Sequence, residues 1–212
     1  MTEEKEYNKE MNVEIVSYDK DYLKKIFLSG RNCFGLKEIT EKDTPQRMKQ
    51  FAKKLINLQH LTVIEHVNYS FHVTNVSRSL MYQWTRHRTF SFNCKSQHYC
   101  LHSNFDYKEL ENLTDEKLIN EYHDLMKTID NFYIKLMDNG VPRYIARECL
   151  PNSTLTNIYC TVNARGLRNF LEQRLTNKNT PEIQKLSQII LKKVFEITPE
   201  IVEDLYEKYV NK

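Results

Sequence analysis

Trp84-Thr85-Arg86-His87-Arg88-Thr89-Phe90-Ser91-Phe92-Asn93-Cys94-Lys95-Ser96-Gln97-His98-Tyr99 is the stretch around which the chain is organised. It sets Arg86 and Arg88 around His87 and follows them with Ser91, Asn93, Ser96, His98 and Tyr99. Arginine forks suit a phosphate or a carboxylate, and a histidine between them can stack or donate a hydrogen bond. Taken alone, Arg-His-Arg also fits a solvated turn. The spacing is more informative, because Arg86, His87 and Arg88 are followed by seven residues and then Ser96.

Working outward, Ser77 begins a helix that delivers Gln83 and Arg86 to this stretch. Before it, Tyr69, Phe71 and Val73 alternate with Ser70, His72 and Thr74, the pattern of a half-buried strand over Val67 to Val76. Further upstream, Val13 and Ile15 predict a short strand reaching Tyr18, and Asp19 or Asp21 can cap the helix carrying Tyr22, Leu23, Ile26 and Phe27. A polar loop over 36–45 leads to Pro45 and a second helix with Met48, Phe51, Ala52, Leu55 and Ile56 on one face. Downstream, Thr114, Asp115 and Glu116 open a long helical region over 113–139 that Gly140 and Pro142 end. A short helix holds Arg143 to Glu148, Pro151 breaks it, and Thr154 to Val162 reads as a strand. Helices follow at about 163–175, 181–195 and 199–210.

The chain has 212 residues, enough for one domain with a sizeable core. Lys and Arg total 31 against 28 Asp and Glu, a formal charge of +3. That excess is too mild for bulk nucleic-acid binding, so no nucleic-acid partner is expected. The first residues carry no apolar signal region and no run is long enough to span a bilayer, which predicts a cytoplasmic protein without a membrane partner. Five cysteines without a Cys-x-x-Cys pair read as reduced thiols, most of them small core residues. Only four glycines occur, and none forms Gly-x-Gly-x-x-Gly, so backbone amides of such a turn do not hold a dinucleotide here.

The Arg86-His87-Arg88 to Ser96 spacing resembles the signature of the flavin-dependent thymidylate synthases. Three further blocks carry the resemblance: Gln59 to His66, Ala146 to Pro151, and Thr161 to Leu167 closing with Phe170 to Arg174. Gly30 to Phe34 is similar to the end of the family's first helix. The resemblance implies an α/β protein of α+β type, with a mainly antiparallel sheet flanked by helices. Residues 1–11 read as a flexible segment from their polarity, and the resemblance implies one synthase domain over 12–212 and a homotetramer with active sites where subunits meet. It implies conversion of dUMP to dTMP with FAD bound, methylenetetrahydrofolate as carbon donor and NADPH as reductant. FAD would fall to His60, Thr62, Glu65, Arg86, His87, Arg88, Asn93, Tyr99, Asn163, Arg165 and Asn169. The nucleotide would fall to Arg78, Gln83, Arg86, Cys94, Ser96, Gln97, His98, Arg147 and Arg174. Arg174 would be catalytic, its charge stabilising an electron shift in the pyrimidine.

Plainer readings compete at several positions. His66 and His72 read as core or strand histidines, and Tyr122, Phe132 and Tyr133 as core aromatics. His98, Cys100 and His102 would share one face of a strand, but with Cys94 they match no established metal-site spacing, so no metal is expected. Three departures from the family pattern stand near the expected nucleotide pocket: Cys94 after the asparagine, His98 in place of an arginine, and Asn179-Thr180-Pro181-Glu182-Ile183 after Arg174. They leave room for a relative that modifies another pyrimidine nucleotide. A catalytically silent nucleotide- or RNA-binding protein on the same fold is the other rival.

Overall fold

The structure is a computed structural model that describes residues 9–35 and 38–210. Most of the expected flexible segment, and Leu36 and Lys37 of the expected polar loop, lie outside the described residues. In chain order come β1 (Asn12–Tyr18), α1 (Tyr22–Asn32), α2 (Pro45–Asn57), a 3-10 turn (Leu61–Ile64), β2 (Asn68–Ser77), α3 (Arg78–Trp84) and β3 (Phe90–Cys94). Then follow α4 (Glu116–Asp138), α5 (Arg143–Ala146), a second 3-10 turn (Arg147–Cys149), β4 (Leu155–Asn163), α6 (Ala164–Arg174), α7 (Pro181–Ile197) and α8 (Pro199–Tyr209).

The strands form one sheet in the order β1-β2-β4-β3. It is antiparallel, as expected. The β2–β4 register shows it: Ala164 N donates to Val67 O at 2.7 Å near one end, and Arg78 N donates to Thr154 O at 3.1 Å near the other. Tyr69, Phe71 and Val73 on β2 are fully buried, which is what their alternation predicts. β3 is an element the sequence reading did not separate from the polar stretch around it. In the other direction, His98 to His102 do not form a strand: residues 97–99 make a turn, His102 is buried and His98 is exposed. A turn cannot align the three side chains on one face as a strand would.

The chain gathers into two compact units, interleaved in sequence. Among the described residues, one comprises 9–12, Val73–Trp84 and Asn93–Ile158; the other comprises 13–35, 38–72, Thr85–Phe92 and 159–210. The first unit has a small core of Phe105, Tyr107 and Met126, with Tyr122, Ile129 and Leu150 packed against it. Its long helix α4 starts where Asp115 accepts from the backbone N–H groups of Lys117 and Leu118, and it closes before Gly140 at φ 75°.

The second unit holds the larger core, including Ile26, Phe27, Ile56, Leu167, Phe170, Ile190 and Ile201. Thr44 caps α2 by accepting from Arg47 N, with Pro45 in the first turn. Neither aspartate caps α1 with its side chain. Asp21 makes no such bond, and Asp19 accepts from Asn68 N at 2.8 Å and pairs with Lys25 at 2.7 Å, so it ties β1 to β2 instead. Arg168, 2% exposed, fastens α6 to α8 through two bonds to Asp204 at 2.6 and 2.7 Å and one to Ile201 O at 2.6 Å. That staple settles how α6 presents its opposite side.

Candidate functional site

A cleft of about 410 Å³ in the second unit is lined by Arg86, His87, Arg88, Thr89, Asn169, Gln173 and Arg174. The turn after α3 supplies the first four and the last two turns of α6 supply the rest. The Arg-His-Arg run splits by side: Arg86 and Arg88 are exposed, while His87 is 8% exposed. The His87 ring stands edge-on to Phe170 at 5.1 Å and Phe90 at 6.4 Å. Burial, and then the charge of Arg174, lower its pKa to about 4. Neutral at ordinary pH, it accepts a hydrogen bond at Nε2 from Arg174 Nε, 2.9 Å away. Arg174 also donates to Asn179 Oδ1 at 3.0 Å. Burial first, and then the neighbouring Arg86 charge, hold its guanidinium below the usual arginine value.

The approach of α6 to this turn depends on Gly166. A Cβ there would sit 2.8 Å from Thr89 Oγ1 and 2.9 Å from Thr89 Cβ, inside any normal contact. Asn163 starts the helix by accepting from Gly166 N at 2.8 Å. On the same unit, Arg165 pairs with Glu65, both of them half exposed. His60 and Thr62 lie at the first 3-10 turn, also exposed. None of these five lines the cleft.

The first unit carries a separate cluster. Arg78, 9% exposed, donates to Lys95 O at 2.7 Å, while its Nε is buried with no hydrogen-bond partner. Burial lowers its pKa, with the charge of Arg147 acting in the same direction, and burial pushes the Cys94 thiol up. Ser96 Oγ accepts from the backbone N–H of His98 at 3.1 Å and of Tyr99 at 3.3 Å, so its oxygen builds the turn. The His98 ring packs on Tyr99 at 4.5 Å and meets Tyr144 edge-on at 5.5 Å. Arg143 donates to Tyr99 O at 2.7 Å, and the Tyr99 ring is 76% exposed. Gln97 is partly buried and Asn93 exposed.

The thymidylate synthase complementing protein family matches residues 14–200 of this chain. The chain belongs to the flavin-dependent thymidylate synthase family. Its relatives include the flavin-dependent thymidylate synthase of Geobacter sulfurreducens, 29% identical over 200 residues that span 92% of this chain and 86% of that protein. The one of Sulfurisphaera tokodaii is 31% identical over 90% of this chain and 76% of its own length, and the one of Clostridium tetani is 26% identical over 90% and 85%.

Within this thymidylate synthase family member, the expected flavin residues Arg86, His87, Arg88 and Asn169 share the cleft with Arg174, which the sequence reading gave to the pyrimidine. Thr89, Gln173 and Asn179 were not singled out as site residues. Gln173 was legible as the neighbour of Arg174 on a helix end, and Asn179 as part of a departure, but Thr89 carried no signal. The fit to a flavin rests on the donor set. The cleft lining offers arginines, a hydroxyl and amides, and no carboxylate, which suits an anionic group. No group of three or more His, Cys, Asp and Glu placed to hold a metal occurs among the described residues. No described helix is long and apolar enough to cross a membrane.

Proposed function

We propose that this protein converts dUMP to dTMP by reductive methylation, with FAD bound, methylenetetrahydrofolate as carbon donor and NADPH as reductant. The observation that carries the reading is the acid-free cleft in which Arg86, Arg88 and Arg174 stand together. With no glycine-rich turn in the chain, side chains take the diphosphate load that backbone amides carry elsewhere. Arg86, Arg88, Thr89 and Asn169 would hold FAD, with the Glu65–Arg165 pair, His60, Thr62, Asn93, Tyr99 and Asn163 completing its site in a homotetramer whose active sites lie between subunits. Bound there, flavin supplies the hydride, and the folate supplies the carbon unit.

The protein's own part is orientation and charge. Arg174 would face the pyrimidine, where a fixed positive charge stabilises the electron shift that makes ring carbon five nucleophilic. No cysteine nucleophile is then required. The burial that pushes the Cys94 thiol up works against a thiolate. Arg78 and Arg147 would take the nucleotide phosphate with Ser96, Gln97 and His98, flanked by Gln83 and Cys94.

A second reading, a relative acting on a different pyrimidine nucleotide, draws on the His98 ring being packed with Tyr99 and Tyr144 at a position where the family carries an arginine. Chromatography of reactions containing dUMP, methylenetetrahydrofolate, NADPH and FAD tests both. The expected result is dTMP that requires every component. Arg174→Ala should keep flavin and form no dTMP, and Arg165→Ala should bind FAD more weakly. Methylation of another pyrimidine nucleotide in preference to dUMP supports the second reading. No product from any pyrimidine nucleotide overturns both.

A further inference from the structure

The long helix α4 carries two different faces. Met126 is buried in the small core of its unit with Tyr122 and Ile129 packed against that core, and Tyr133 is fully buried. On the other side Glu121, Leu125, Thr128, Phe132 and Lys135 are all exposed. They follow one another at spacings of four, three, four and three residues, so they share one stripe. Phe132, read from the sequence as a core aromatic, is 50% exposed, and Leu125 is 53% exposed. Two large apolar side chains in line on the outer face of one helix mark a contact surface.

The stripe is self-complementary. From Thr128 outward, an apolar residue and then a charge lie in each direction: Leu125 and Glu121 toward the helix start, Phe132 and Lys135 toward its end. Turned end for end about Thr128, the same stripe sets Leu125 against Phe132 and Glu121 against Lys135, each of these charges seven residues from the axis. Parallel helices would instead bring Glu121 to Glu121 and Lys135 to Lys135, and would align their dipoles. Thr128 is small, and its hydroxyl already donates to Asp124 O at 2.8 Å, so covering it leaves no polar group unmet. The other charges nearby are exposed pairs within the helix, Lys117 with Glu121 at 3.9 Å and Lys127 with Asp124 at 3.4 Å, which contribute little and leave Lys135 out.

We propose that this stripe of α4 docks against α4 of a second copy of the chain, the two helices running antiparallel about a twofold axis at Thr128. Such a contact is isologous, so each pairing occurs twice. It deepens the assembly part of the reading above by naming one surface where copies meet, and it needs nothing of the flavin or nucleotide chemistry. One helix pair is smaller than the interface a stable complex uses, so it is one face of the tetramer rather than the whole of its contacts.

Two measurements on the full-length protein test this. In the first, Thr128→Cys is made in a Cys33→Ser background, which removes the exposed native thiol. Treatment with a short bismaleimide, followed by digestion and mass spectrometry, should yield two chains joined 128 to 128. Lys127→Cys, off the stripe, should give no such link. In the second, light scattering after size exclusion is followed across a dilution series. Leu125→Glu should halve the mass of the assembly. Glu121→Lys and Lys135→Glu should each raise the dissociation constant about tenfold, because symmetry counts every substitution twice, and the double exchange should restore it. The substituted side chains are exposed, so far-UV circular dichroism should match that of wild type. Absence of the 128-to-128 link together with an unchanged mass for Leu125→Glu overturns the pairing and leaves a tetramer built on other faces. A double exchange as weak as its single variants overturns the antiparallel register. A wild-type dimer that links at 128 supports the pairing and overturns the tetramer instead, and a monomeric wild type overturns both.

Discussion

His87 shows how a short motif divides its labour. Its flanking arginines reach solvent while it turns inward, because a neutral imidazole between Phe90 and Phe170 is buried at less cost than a guanidinium with no carboxylate to meet it. The consequence is a pH dependence of stability. An unfolded histidine titrates near pH ~6.5, whereas folded His87 does so at about 4. Between these values the unfolded chain binds a proton that the folded one refuses, so stability present above pH ~6.5 is lost as pH falls toward 4, and nothing is lost above the window. From pH ~7 to ~5 the His87 contribution is about 2 kcal/mol. Urea unfolding at both pH values should show a loss smaller by about that amount in His87→Gln than in wild type. Equal losses in the two proteins would mean that His87 is not held neutral. The sequence could mark His87 as a site residue but not as an inward one, since Arg-His-Arg reads the same whichever side faces solvent. Asn179 was visible only as a mismatch, because its partner Arg174 is reached through a turn whose path no periodicity encodes.

Among the elements, helices were legible where chemistry marks their ends: Pro45 at the start of α2, Asp115 before α4, Pro181 and Pro199 inside the first turns of α7 and α8. β3 was harder. Phe90 and Phe92 alternate with Ser91 and Asn93, but five residues embedded in polar chemistry give alternation little length to be seen over. Asp19 misled because a carboxylate before a helix looks like a cap, and a strand neighbour claimed it instead. Gly166 gives a test at this scale. In a helix, alanine is worth up to about 1 kcal/mol over glycine. Here the added methyl meets Thr89 Cβ, which is not a flexible tip, so the strain should exceed that gain. Overpacking of this kind costs roughly 1–3 kcal/mol. Gly166→Ala should therefore lower the melting temperature and weaken FAD retention together, because Thr89 belongs to the cleft. A variant that melts higher and keeps its flavin would show that the turn yields freely.

For the whole molecule, the family and its antiparallel sheet were readable from four separated blocks of sequence, and the order of the helices from periodicity and end signals. The gathering into two units was not, because each strand reads as one continuous pattern wherever the packing divides it. The missing glycine-rich turn makes an assembly prediction: if side chains from more than one subunit hold FAD, dilution should remove tetramer and flavin together. Size exclusion across a dilution series, read at protein and flavin wavelengths, checks this. A monomer that keeps stoichiometric FAD would refute the shared site.

The reading proposed above stands or falls on whether the arginine cleft serves a flavin and dUMP chemistry. The visible spectrum of the purified protein, recorded with and without dUMP, tests it most directly. The expected result is a bound-flavin spectrum that shifts and saturates on adding dUMP, with the shift weakened in Arg174→Ala. Flavin that is present but indifferent to dUMP, or a protein that takes up no flavin at all, would contradict it.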